Sequence, residues 1–181
     1  MSGSVVAQGA AASPKVQESL AAIFYQFAPS LYRYALRLCR DPLEADQIVG
    51  DVFAHFLERL AAGEKLPNNL RAYLYQIAYH IIVDHARERQ RTTPIDESSN
   101  LATEEKDIPA QVEEQMLLKA LSAAITNDLT GEQRQVIVLR FQEDLSLRDT
   151  AQIMGKDVNA IKALQNRAVV KLQKVLSKQE A

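Results

Sequence analysis

The stretch LSLRDTAQIMGKDVNAIKALQNRAVVKLQKVL, residues 145–176, decides how the rest of the chain is read. Leu147, Thr150, Ala151 and Met154 recur at spacings of three and four, the apolar stripe of one helix. Gly155 follows, the residue type that leaves a helix through a left-handed conformation. Asp157 is placed to cap a second helix through its side-chain oxygen. That helix carries Ile161, Leu164, Ala168, Leu172 and Val175 on one face. A short helix, a glycine turn and a longer helix predict a helix-turn-helix. The outer face of the second helix holds Asn159, Lys162, Ala163, Asn166 and Arg167, and Lys171, Lys174 and Lys178 extend the positive row. Lysine and arginine neutralise phosphates, and asparagine and arginine form paired hydrogen bonds to base edges. The small Ala163 lets the backbone approach a groove. The solvated face of an ordinary helical hairpin has the same composition, so this stretch alone leaves both readings open.

Composition narrows the setting. The chain has 181 residues, enough for one medium domain or two small ones. Glycine and proline number six each, which favours helix, and no segment of length has the strand period. A single cysteine, Cys39, excludes an internal disulfide and a cysteine-based zinc site, and fits a reducing compartment. Its neighbour Leu38 lies on an apolar face, which places the thiol in a core. No apolar run is long enough to span a membrane. The opening MSGSVVAQGAAASPK lacks basic residues ahead of its small apolar patch, so residues 1–17 read as a disordered tail and the expected location is cytoplasmic.

The net charge of −2 is unevenly spread. Residues 92–114 hold seven acidic groups and one basic group, whereas residues 115–181 hold ten basic and seven acidic. The acidic segment, with two prolines and little apolar content, reads as a flexible linker. Its charge serves solvation or, alternatively, imitates nucleic acid inside a basic channel of a partner. The fold class expected is therefore all-α: two small helical domains, residues 18–91 and 115–181, joined by a flexible acidic linker over 92–114.

Within the first domain, Leu20, Ile23, Phe24, Phe27, Leu31, Tyr34 and Leu38 follow the helical period, with Pro29 as a kink or a break between two helices. Asp41-Pro42 opens the next helix, which runs to about Leu60. Residues 61–69, with Gly63, Pro67, Asn68 and Asn69, form a loop. A third helix runs from about Leu70 to Arg89, with Tyr73, Tyr75, Tyr79 and His80 along it and Arg87, Arg89 and Arg91 at its end. Cations at a helix C-terminus suit the helix dipole. Rings beside arginines also suit single-stranded nucleic acid, where bases stack and cations track the backbone. In the second domain, Thr130-Gly131-Glu132-Gln133 reads as a helix start.

Catalytic signatures are missing. There is no glycine-rich phosphate loop and no GxSxG, and His80 and His85 stand five apart with no glutamate between them. His55 sits on a polar helix face. No catalytic residue, metal or cofactor is expected.

Three segments in order carry a resemblance. LYRYALRLCRDPLEADQIVGDVFAHFLERL (31–60), RAYLYQIAYHIIVDHARERQR (71–91) and LTGEQRQVIVLRFQEDLSLRDTAQIMGKDVNAIKALQNRAVVKLQKVL (129–176) resemble the two-domain extracytoplasmic-function group of sigma-70 RNA polymerase sigma factors. The likeness covers about residues 18–178. It implies a transcription initiation factor that binds bacterial core RNA polymerase, directs it to −35 and −10 promoter DNA and aids strand opening, with no enzymatic activity of its own. By residue, it implies polymerase docking by Asp46, Gln47, Val49, Gly50, Asp51 and Phe53. It implies capture of the melted −10 strand by Asn68, Asn69, Arg71, Tyr73, Tyr75, Gln76, Tyr79, His80 and Arg87, where preformed stacking offsets the few kcal/mol of base extraction. It implies −35 contacts by Asn159, Lys162, Ala163, Asn166, Arg167 and Lys171. An anti-sigma factor is the further partner implied, the chain being a monomer when free or a heterodimer with that factor. Asp46-Gln47 replaces the family's common Glu-Asp, Gly50 replaces a polar residue, and Tyr73 stands where tryptophan is common. These departures put the promoter letters and the docking affinity in doubt. They also motivate a rival, a degenerate sigma-like scaffold that binds a partner protein without promoter recognition. A stand-alone helix-turn-helix repressor would need a dimer, and no dimerisation stripe is evident.

Overall fold

The computed structural model describes residues 14–92 and 112–179. Most of the expected tail and most of the expected linker lie outside the described residues. The first helix already begins at Pro14, the third runs on to Thr92, and the fourth starts at Val112.

Three helices form the N-terminal unit: α1 (Pro14–Cys39), α2 (Pro42–Ala61) and α3 (Leu70–Thr92). α1 runs through Pro29 as one continuous helix, so the division into two helices is not formed. The proline ring removes one helix hydrogen bond. Leu31, Tyr34 and Ala35 after it, and Phe27 and Ala28 before it, all pack in one core, which holds both halves in the same unit. α2 starts as the sequence predicts: the Asp41 carboxylate accepts the amide N–H groups of Leu43 at 2.8 Å and Glu44 at 3.3 Å, with Pro42 in the first turn. Ile48, Val52 and Phe56 of α2 meet Leu74, Tyr75 and Ala78 of α3 in the interior. Each such large side chain contributes about 1.5–3 kcal/mol by leaving water. Cys39 is half-buried, its thiol donating to the Asp41 carbonyl at 3.4 Å, and burial pushes its pKa up.

The C-terminal unit comprises α4 (Val112–Asn127), α5 (Gly131–Ile137), a π-helical turn (Val138–Gln142), α6 (Leu147–Met154) and α7 (Val158–Gln179). Thr130 and Gln133 form a reciprocal capping box at the start of α5. The π-helical turn follows α5 directly and leads the chain toward α6. A small core of Ala124, Leu129, Ile137, Ala168 and Leu172 joins α4, α5 and α7.

The two units are packed together. α6 lies across α3. Val138, Leu139, Leu145, Ala151, Ile153 and Met154 belong to the same continuous core as the N-terminal helices. Polar ties edge this core. The Tyr34 hydroxyl donates to Gln135 Oε1 at 2.5 Å, Arg40 donates to the Thr126 carbonyl at 2.7 Å, and Asn69 Nδ2 donates to Asp149 Oδ1 at 2.9 Å. Arg40 and Asp144 hold left-handed backbone conformations, φ 61° and 47°, at the two places where the chain turns into this contact. Such conformations cost of order 1–3 kcal/mol for non-glycine residues and persist where surrounding packing fixes them.

Candidate nucleic-acid interface

The helix-turn-helix is built as the sequence predicts. Ser146 Oγ accepts the Asp149 N–H at 3.0 Å to start α6. Gly155 ends it at φ 61°, and the Lys156 N–H returns to the Ala151 carbonyl at 2.9 Å. Asp157 Oδ1 accepts the Ala160 N–H at 2.9 Å and starts α7. Thr150, Ala151 and Met154 are buried, as are Ile161, Ala168 and Leu172 of α7, while Leu147, Leu164 and Val175 are half-buried. Arg140 clamps the motif from behind, donating to the Leu145 carbonyl and to Gln165 Oε1 of α7. The turn itself is tied to α5 by the Lys156–Glu132 ion pair at 2.7 Å, and the carboxylate beside this ammonium raises its pKa.

This scaffold exposes the whole predicted row: Asn159, Lys162, Ala163, Asn166, Arg167 and Lys171 all face solvent. Asn166, Arg167, Lys171 and Lys174 border a shallow recess of about 350 Å³ beside Val170. Four cationic or amide side chains around an open trough have the chemistry to meet a duplex backbone and its base edges. The Lys178 side chain lies outside the described residues.

On α3 the predicted row divides. Tyr73, His80 and Arg87 recur every seventh residue along one accessible face. Tyr73 is half-buried, edge-on to Phe56, with the Arg59 guanidinium 5.5 Å from its ring centroid. Arg59 is held in turn by Glu64 of the following loop. Phe56, Arg59, Leu66, Pro67 and Tyr73 line a cleft of about 150 Å³. An aromatic wall under a guanidinium is a fitting receptacle for one planar base. Asn68 is exposed beside it. Asn69, also exposed, caps α3 by accepting the Ala72 N–H at 3.0 Å. Arg87 contacts Asp84 at 3.4 Å on the surface, whereas Arg89 reaches Glu44 of α2 at 2.6 Å, a tie between helices that its position in the sequence left open. His85 meets the same Glu44 at 3.2 Å.

The other half of that row faces the C-terminal unit. Tyr75 is fully buried, its ring edge against Tyr34 and its hydroxyl donating to Glu143 Oε2 at 2.5 Å. Burial, and then the Glu143 hydrogen bond, push its pKa to about 12. Tyr79 is buried too, and burial raises its pKa. Arg71 lies over the Tyr75 ring at 5.7 Å and donates to the Glu143 carbonyl, and Gln76 reaches the Gln152 carbonyl at 3.5 Å. In this arrangement Tyr75 and Tyr79 offer no free ring to a base. Sequence reasoning missed Glu143, Gln135 and Arg59. A lone glutamate between Gln142 and Asp144 carries no periodic signal, and only the fold brings it to Tyr75.

On α2, Asp46, Gln47, Gly50 and Asp51 form an exposed face, while Val49 and Phe53 point inward, Phe53 packing on Phe24 at 4.8 Å between centroids. Tyr25 stands out beside them, 77% exposed, an apolar ring that solvation alone does not require. Among the described residues no group of three or more His, Cys, Asp or Glu is placed to hold a metal ion, and no helix is long and apolar enough to cross a membrane.

Comparison with known proteins fits this division. Residues 23–92 match Sigma-70 region 2 and residues 127–174 match Sigma-70, region 4. The chain is 28% identical to the ECF RNA polymerase sigma factor BldN of Streptomyces coelicolor over 158 residues, covering 85% of this chain and 59% of that protein. It is 23% identical to the RNA polymerase sigma factor YlaC of Bacillus subtilis, covering 91% of this chain and 95% of that protein. The fold is shared with the sigma factor RpoE of Bartonella quintana, solved in complex with the anti-sigma factor NepR, at a TM-score of 0.69 and 22% identity over 88% of this chain and 98% of that one. It is also shared with CnrH, solved in complex with the cytosolic domain of CnrY, at 0.65 and 19% identity over 90% of each chain. With both regions present in order, the chain belongs to the extracytoplasmic-function group of sigma-70 RNA polymerase sigma factors.

Proposed function

We propose that this sigma factor binds bacterial core RNA polymerase and directs it to promoters through two separate DNA-reading surfaces, itself performing no catalysis. The observation that carries the reading is the exposed Asn159–Lys171 row on a rigidly capped helix-turn-helix, in one chain with the Tyr73–Arg59 cleft. α7 reads the −35 duplex with Asn166 and Arg167 at base edges and Lys162 and Lys171 on phosphates. The cleft receives one unstacked −10 base, with Asn68 and His80 beside it and Arg87 on the backbone. The exposed α2 face of Asp46, Gln47, Gly50 and Asp51 docks on the polymerase. The domains are residues 18–91 and 115–181, and the acidic segment between them threads the polymerase. The setting is the cytoplasm, where the polymerase works. An anti-sigma protein is the natural regulator, since structural neighbours of this fold were solved with such partners.

Run-off transcription with purified core polymerase on a genomic promoter pool tests this. New start sites sharing two spaced elements are expected only when the chain is added. A folded chain that yields no new transcript and does not co-purify with core polymerase overturns the reading.

A further inference from the structure

The contact between the two units has an unusual centre. Glu143 is 95% buried, yet its carboxylate and backbone are surrounded by donors from the other unit. The Tyr75 hydroxyl donates to Oε2 at 2.5 Å, Arg37 lies 3.8 Å from Oε1, and Arg71 donates to the carbonyl. One guanidinium and a phenol meet the carboxylate, and a second guanidinium holds the carbonyl of the same residue, a donor set of the kind that proteins direct at nucleic-acid phosphates. A carboxylate, like a phosphodiester, spreads one negative charge over two oxygens. Arg71 and Tyr75 also belong to the strand-capturing row, as do Asn69 and Gln76, which reach Asp149 and Gln152 across the same contact.

We propose that Glu143 acts as a built-in stand-in for a backbone phosphate of the melted promoter strand, holding the free sigma factor closed by occupying donors on α3 that the strand takes in the open state. This deepens, and rests on, the promoter reading above. The closed state buries Tyr75 and Tyr79 and holds Arg71 on Glu143, and opening frees all three. The same donors cannot serve Glu143 and a phosphate together, so closure and strand binding are mutually exclusive. A binding site open only part of the time shows an affinity reduced by that fraction.

Two variants of the full chain separate this lock from simple charge effects. Glu143→Ala removes the anion. Arg40→Ala acts at the far edge of the contact, removing the guanidinium that donates to the Thr126 carbonyl. Small-angle scattering reads the opening, and the anisotropy of a fluorescein-labelled single-stranded oligonucleotide of mixed sequence reads binding. Both variants are expected to enlarge the radius of gyration and to bind the strand about tenfold more tightly than the wild type, with helicity by circular dichroism unchanged. Arg40→Ala removes a positive charge, so electrostatics alone predicts weaker binding, and the gain identifies unlocking. Adding Tyr75→Phe to Glu143→Ala should remove part of the gain. If Glu143→Ala loses helicity, Arg40→Ala carries the same test.

An unchanged radius in every folded variant overturns the lock, and opening without tighter strand binding overturns the phosphate mimicry. Either result beside normal run-off transcription leaves the promoter reading standing. Opening with tighter strand binding, but no transcription from any variant, upholds the lock and overturns the promoter reading.

Discussion

Two helices of this sigma factor carry aromatic or cationic rows suited to nucleic acid, and the fold treats them in opposite ways. α7 turns its row, Asn159 to Lys171, entirely to solvent. α3 splits its row, leaving Tyr73, His80 and Arg87 accessible and burying Tyr75 and Tyr79. The difference lies in what each helix is asked to cover. Among the described residues, α7 packs on α4, α5 and α6 through its apolar side. α3 sits between α1 and α2 on one flank and α6 on another, so only a narrow strip stays free. A residue type suited to binding becomes a binding residue only if no other element claims its face first.

Stability measurements offer the sharpest way to break this contrast. Tyr75→Ala should lower the unfolding free energy by about 3–5 kcal/mol, as for other large buried rings. Arg167→Ala should change it by less than about 0.5 kcal/mol. Chemical denaturation of both variants checks the pair, and equal effects would erase the distinction between the two faces.

Duplex binding by the polymerase-bound factor sharpens the α7 side. Asn166→Ala should cost about 1–3 kcal/mol and relax preference at one promoter position. Lys162→Ala should weaken all sequences alike and lower the salt slope by about one. A titration of affinity against salt separates the two.

Alkaline pH probes the α3 side. The Tyr75 pKa is raised from 10.0 to about 12 in the folded chain, so the folded state favours the neutral phenol. That stability is fully present below pH 10 and is lost as pH climbs from 10 toward 12. Scattering or near-ultraviolet dichroism should therefore report loosening in that window, and Tyr75→Phe should shift it upward.

The smallest effect belongs to α2. Gly50 is exposed, and a Cβ there would meet nothing within 4 Å. Gly50→Ala should raise stability by about 0.5–1 kcal/mol through helix propensity alone, readable as a higher thermal midpoint.

Much of the fold was legible locally. The Asp41 and Asp157 caps, the Thr130 capping box and the Gly155 turn each depend on a few neighbouring residues, and the structure forms all four. The α7 row was legible because one helical period fixes both its apolar and its polar face. Pro29 does not divide α1, because residues on both sides of it pack in one core, which a local reading of the proline leaves out. The covering of Tyr75 was beyond sequence reasoning, since its partner Glu143 stands 68 residues away and joins no periodic pattern. The same holds for Arg40 and Thr126, 86 residues apart.

The mixed character of the contact between the units has a consequence for life outside the closed state. A purely oily seam, once parted, would leave two adhesive surfaces and invite clumping. Here phenol, guanidinium, amide and carboxylate groups are set among the apolar side chains, and water can replace each of their bonds when the halves separate. Faces bared by opening would therefore carry water-binding groups among their apolar side chains and adhere less than a purely apolar seam.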